Sequence, residues 1–264
     1  MTTIRFLLVA AAAALLGCQT SSSTRSSAAV EPLRVGVTPN APPIIFEKGG
    51  EVVGLEADLG RALAGELGRP VKFVSRDWDQ LIPSLQRGEI DIIMSGMSIT
   101  PARALRVSFA APYMEIGQIA MFRNEDARRY FDALLVLSTH DRVAVEAGTT
   151  ADLFLQQVMY KAQRVPCASV RKAVEALAAR KVGLVLCDAP TAFWLAAEYE
   201  GRGVTVLPQL LTRESLAWAV RREDPSLLEA ANKMLAAWKQ DGRLKTLLQR
   251  WIPNYDQLQK ALSQ

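Results

Sequence analysis

Apolar positions in the first third of the chain switch between short unbroken runs and a four-residue spacing. Leu33 to Val37 is an apolar run broken only by Arg34, and it predicts a strand. Leu55, Leu59, Leu63 and Leu67 then recur at helical spacing, and Gly68-Arg69-Pro70 supplies the stop, so Glu56 to Leu67 is predicted to be a helix. Val71 to Val74 is the next strand. Trp78 to Arg87, with Leu81, Ile82 and Leu85 on one face and Gly88 just beyond, is the next helix, and Ile90 to Met94 is the third strand. The order repeats with a strand at Arg142 to Val145, a helix near Thr150 to Lys161, a strand at Arg164 to Val165, a helix from Ser169 to Arg180 and a strand at Val182 to Cys187. Two β-α-β-α-β units predict an α/β protein with two open, mostly parallel sheets and helices on both faces. Ligands in such sheets sit beyond the carboxyl ends of the strands. Those ends carry Gly96 to Ser98 in the first unit, and Gly148-Thr149-Thr150 and Asp188 in the second.

The chemistry at the first of these ends is the most specific in the chain. Asp91 to Met94 runs into small polar residues, Ser95, Gly96 and Ser98. Thr100 can then cap a helix, Pro101 suits its first position, and Arg103 lies in the first turn. Backbone amides, hydroxyls and one guanidinium so gathered are suited to an anion such as a carboxylate.

The N-terminus adds a location. Arg5 followed by the apolar run Phe6 to Leu16 has the layout of an export signal and is too short to span a bilayer. Leu15-Leu16-Gly17-Cys18 resembles a bacterial lipobox, although Leu16 is unusual at its position; an ordinary cleaved signal is the alternative. Residues 1–17 are therefore expected to be a signal peptide, Cys18 a lipidated first residue, and 18–32, rich in Ser, a flexible tether to the membrane. About 230 residues remain for the folded part. The formal charge of +4 is spread over the chain, and the pairs Arg128-Arg129 and Arg221-Arg222 lack interleaved aromatics, which argues against nucleic-acid binding. Cys167 and Cys187 fall on the second and third strands of one unit. In strand order 2-1-3 they lie two spacings of about 4.8 Å apart, beyond the roughly 7 Å reach of a disulfide, so two thiols are expected.

Several segments in order resemble the type 3 extracellular solute-binding proteins, the polar amino-acid receptors of ABC importers. These are Leu33-Arg34-Val35-Gly36-Val37, Gly54-Leu55-Glu56-Ala57-Asp58-Leu59, Asp77 through Leu85, Gly96 through Arg103, Phe109-Ala110-Ala111-Pro112-Tyr113, Gly148-Thr149-Thr150 and Trp251. The resemblance runs from about Leu33 to Tyr255. It implies a two-lobed periplasmic-binding-protein-like fold of type II, with crossings near Ile116 to Met121 and Leu211 to Ser215. Lobe 1 would comprise 33–117 plus 216–264, closed by helices from Pro225 onward, and lobe 2 would comprise 118–215. It also implies a ligand, an amino acid or similar small zwitterion, delivered by a monomer to an inner-membrane ABC permease, with no cofactor, no metal and no catalytic residue.

Carried over by position, Arg103 would grip the ligand α-carboxylate with the amides of Ser98 and Thr150, and Asp188 would accept from the α-ammonium. Gly96 and Ser98 would add acceptors, and Trp78 would pack on the ligand side chain. Each has another reading: Arg103 a surface salt bridge, Asp188 a helix N-cap ahead of Pro190, Trp78 core packing, Gly148-Thr149-Thr150 a plain turn. Glu56 and Asp58 are assigned to structure, as acids favoured in a first helical turn. The family's aromatic near Ala41 and Phe at Ile44 are absent. Glu146 falls where relatives can touch the ligand side chain; it could select a cationic amino acid or be a solvated or salt-bridged glutamate. Two rivals remain open. One is a periplasmic dehydratase of the cyclohexadienyl dehydratase type with Glu146 as general acid, although the single His140 and the lack of a nucleophile motif weigh against it. The other is a receptor for a membrane sensor.

Overall fold

The computed structural model describes residues 30–262; the signal, Cys18 and most of the tether lie outside the described residues. Two five-stranded sheets dominate the fold. The first has the order Val71–Ser75, Leu33–Val37, Ile92–Ile93, Ala219–Val220, Ser108–Phe109. The second has the order Gln163–Cys167, Arg142–Glu146, Leu184–Asp188, Gln118–Arg123, Val204–Val206. In each, the three strands of the β-α-β-α-β unit pair in parallel, in order 2-1-3. The fourth strand runs against them and the fifth against the fourth. One strand in each sheet is thus reversed, and in each case it is the strand delivered by a crossing between lobes.

The predicted helices form with trimmed ends. Leu55–Glu66 buries Leu55, Leu59 and Leu63, the spaced leucines that predicted it. Trp78–Gln80 is a 3₁₀ turn leading into the helix Leu81–Gln86, and Thr150–Val158 stops short of Lys161. The strand predicted at Arg164 to Val165 extends through Pro166 to Cys167. It can do so because it lies at the sheet edge, where a missing N–H leaves no partner unsatisfied. Cys167 and Cys187 are free thiols on non-adjacent strands, as expected.

The crossings meet as an antiparallel ribbon, Met114–Ile116 against Glu214–Leu216. Only glycine fits at position 117, where a Cβ would lie 2.2 Å from the Thr212 carbonyl oxygen. Helices Pro225–Gln240 and Arg243–Trp251 close the first lobe around Trp218, which is fully buried. The last helix, Tyr255–Leu262, touches both cores, with Tyr255 packed against the first. Its i, i+4 pair Leu258 and Leu262 packs into the second lobe's core with Ile119 and Val204, and Gln259 donates to the Glu115 carbonyl.

Asp91 ties down the base of the first sheet, at the strand ends away from the ligand side. It accepts from the Arg34 amide at 2.9 Å and from Arg34 Nη2 at 2.6 Å, with Arg69 at 3.4 Å and Arg221 at 3.8 Å. Burial opposes its charge, yet the Arg34 contacts win and hold the carboxyl below the usual range. Asp91→Ala is expected to lower the unfolding free energy by about 1–3 kcal/mol at pH 7, the exposed part of Arg34 keeping the loss moderate. Because the folded carboxyl titrates low, the stabilisation is present at neutral pH and is lost as the pH falls below about 4. Urea unfolding of both proteins at pH 7 and pH 3 checks this, and equal midpoints at pH 7 would refute it.

Candidate functional site

The carboxyl ends of the strands in both sheets face one cleft. Its lining includes all seven residues expected there: Trp78, Gly96, Ser98 and Arg103 from the first lobe, and Glu146, Thr150 and Asp188 from the second. Cys18 lies outside the described residues.

On the first lobe, the strand Ile92–Ile93 ends in a loop held from below. Ser95 Oγ accepts from the Thr38 amide at 2.8 Å. Gly96 is left-handed (φ 66°), and a side chain there would meet Ile44, so the loop turns sharply with its backbone open to the cleft. The Gly96 amide donates to Glu56, which is fully buried; burial pushes the Glu56 carboxyl up to about 7, against the opposing effect of the Gly96 amide, Tyr113 and Trp218. Glu56 therefore has the structural role expected of it, but as a buried loop anchor and not only as an acid favoured by the helix dipole. Asp58 does take a structural role, accepting from the Trp251 indole at 2.9 Å.

Thr100 caps the single turn Pro101–Ala104, as its residue types predicted, by accepting from the Arg103 amide at 3.2 Å. The Arg103 guanidinium donates to the carbonyls of Ser98 at 2.9 Å and Gly148 at 3.5 Å, and lies 5.2 Å from the Trp78 ring centroid. It bonds carbonyls and stacks on an aromatic, so the surface salt-bridge reading does not describe it. Burial lowers its pKa while Asp188 and Glu214 act to raise it. Trp78 is a cleft wall that donates from its indole to the Gly148 carbonyl at 3.1 Å, across the lobes.

On the second lobe, Thr149 caps the helix Thr150–Val158, and the loop before it is braced by Asp152, which accepts from the Gly148 amide at 2.9 Å and pairs with Arg164. Asp188 ends its strand at the N-cap position of Ala189–Glu198, yet its side chain makes no cap bond. It accepts instead from Gln118 Nε2 at 2.6 Å. Burial, then Glu214, push its carboxyl up to about 7, against Gln118 and Arg103. Glu146 is buried between the Asn40 amide at 3.1 Å and the Val170 amide at 3.3 Å, and burial raises its pKa. It is not the solvated glutamate of the alternative reading.

Two further residues join the site from the crossings. Gln118 Nε2 also reaches Glu214 Oε1 at 3.0 Å and Thr150 Oγ1 at 3.1 Å, and Glu214 Oε2 accepts from Ser98 Oγ at 2.7 Å. The signal for Gln118 was present in the sequence: it is a polar residue inside the apolar stretch Ile116 to Phe122, and it is fully buried. Glu214 gave no such signal, because its neighbours Arg213 and Ser215 are polar. Around the cleft three carboxylates, Asp188, Glu214 and Glu146, accompany one guanidinium.

Comparison with known proteins agrees with this architecture. Residues 33–254 match the bacterial extracellular solute-binding proteins, family 3. The chain is 30% identical over 245 residues to ABC transporter arginine-binding protein 1 of Escherichia coli K12, covering 90% of this chain and 98% of that protein. An ancestral arginine-binding protein solved with arginine superposes with a TM-score of 0.79 at 29% identity, covering 84% of this chain and 99% of the other. An ancestral amino-acid-binding protein described as a precursor of cyclohexadienyl dehydratase gives 0.77 at 35% identity, covering 84% and 95%. With the two-lobed fold, the shared motifs and this extent of match in hand, the chain belongs to the bacterial extracellular solute-binding proteins of family 3.

Proposed function

We propose that this protein captures a cationic amino acid between its lobes and delivers it to an ABC importer, working outside the cytoplasm as a lipoprotein anchored through Cys18. The observation that carries the reading is a guanidinium and a carboxylate, on different lobes, turned toward one cleft. A zwitterion leaving water loses hydration worth several kcal/mol per charge, so each charge needs an opposite charge and hydrogen bonds. Arg103, with the amides of Ser98 and Thr150, meets the α-carboxylate; Asp188, with Ser98 and the backbone at Gly96, meets the α-ammonium. A ligand bridging both lobes stabilises the closed form. Trp78 stacks on the side chain. Glu146, buried and bonded by the Asn40 and Val170 amides, is placed to pair with a cationic side chain, and the arginine-binding relative and arginine-bound neighbour support that class.

The kinship with a dehydratase precursor gives a second reading, with the Glu146 carboxyl as a proton donor. Under the binding reading prephenate is not turned over, and turnover lost in Glu146→Gln would decide for the enzyme.

L-Arginine or L-lysine at a hundred times Kd is expected to raise the melting temperature by about 5 °C or more. Arg103→Ala should abolish the shift, since removing one partner of a desolvated charge pair costs about 2–5 kcal/mol; an undiminished shift would place the carboxylate elsewhere. Glu146→Gln should reduce the preference for arginine over glutamine by about tenfold or more in calorimetric titrations, as expected for a lost charged hydrogen bond. An unchanged ratio would remove Glu146 from selection. The pH dependence follows from Asp188, whose carboxyl is pushed up to about 7. Only its ionised form pairs with an ammonium, so affinity for arginine falls as the pH drops through 7, by about tenfold per unit below it. A Kd constant from pH 8 to 5.5 would exclude Asp188 as the ammonium partner.

A further inference from the structure

The hydrogen-bond network at the crossings fixes more than the hinge. Gln118 Nε2 faces the oxygens of Asp188, Glu214 and Thr150; the reverse amide orientation would set its oxygen against two carboxylates. That nitrogen and the Thr212 hydroxyl, at 2.9 Å, both hold Glu214 Oε1, which leaves Oε2 turned to Ser98. A carboxylate can only accept, so the single hydrogen of the Ser98 hydroxyl is committed to Glu214, and the lone pairs of Ser98 are what it can offer elsewhere. Ser98 lines the cleft on the lobe that also carries Arg103, whereas Glu214 is not part of the lining.

We propose that Glu214 is a positioning residue that makes Ser98 an obligate hydrogen-bond acceptor, so that the cleft takes a ligand N–H at this point and discriminates against molecules without one. This rests on the amino-acid reading above and deepens it. Without Glu214, the Ser98 hydroxyl can rotate and present either a hydrogen or a lone pair, and its preference for an ammonium disappears. Gln118 serves the arrangement by holding Glu214 from the other side.

The test compares L-arginine with 5-guanidinopentanoate, which keeps the carboxylate and guanidinium and lacks the α-ammonium, by calorimetric titration of the full mature chain. Glu214→Gln is expected to weaken L-arginine by about tenfold or more and 5-guanidinopentanoate by less than about threefold. Because Glu214 acts through Ser98, Ser98→Ala should show the same selective loss, and the double variant should bind no worse than the weaker single one. Equal losses for both ligands, or losses that add in the double variant, would overturn the proposal and leave Glu214 a structural hinge residue. If Glu214→Gln does not fold, Ser98→Ala alone decides, since a loss shared by both ligands refutes the acceptor role. A wild-type protein that binds neither compound would remove the proposed function and this inference with it.

Discussion

Like charges crowd the floor of the cleft, and the site is organised by that constraint. Asp188 and Glu214 share one amide nitrogen, Gln118 Nε2, with Glu146 adding a third negative charge nearby. Arg103 offsets part of this charge but bonds carbonyl oxygens, not the carboxylates. Burial pushes the carboxyls of Asp188 and Glu146 upward, and at Asp188 the neighbouring Glu214 and Glu146 add to the effect. A positively charged guest relieves this repulsion, and under the proposed reading the ligand supplies the missing charge.

The fold delivers this arrangement through its strand ends. Both β-α-β-α-β units point their carboxyl ends at the cleft, so Ser95 to Ser98, Glu146 and Asp188 arrive there without long loops. The crossings then insert one reversed strand into each sheet, and Gln118 at the start of one such strand and Glu214 in the crossing ribbon reach the site residues Asp188, Thr150 and Ser98. The crossing segments and the candidate site are thus joined by hydrogen bonds. Contacts already bridge the lobes: Asn40 to Glu146, Trp78 to Gly148, and Phe46 to Trp194 with ring centroids 5.6 Å apart.

Much of this was legible from local pattern. The strands and helices of both units and the cap at Thr100 followed from periodicity and turn chemistry, and the two crossings and the seven cleft residues from the resemblance to the solute-binding family. Other parts were not. Glu56 reads as an ordinary first-turn acid; only the packing of Gly96, Tyr113 and Trp218 around it shows it to be buried. The helix Tyr255–Leu262 has the amphipathic pattern of a lobe-1 closing helix, yet that pattern says which face is buried and not against what. Asp188 before Pro190 carries the marks of an N-cap, and a stronger donor, Gln118, claims its side chain.

By itself the sequence determined the alternating elements, the sheet class, and the presence of an arginine and an aspartate at strand ends, because those depend on short-range periodicity and backbone preference. Which carboxylates are neighbours, which hydroxyl hydrogen is committed to which oxygen, and which cores the last helix touches were decided only by tertiary structure. Those properties depend on groups brought together from distant positions, such as Ser98 and Glu214, 116 residues apart, whose encounter no local pattern encodes.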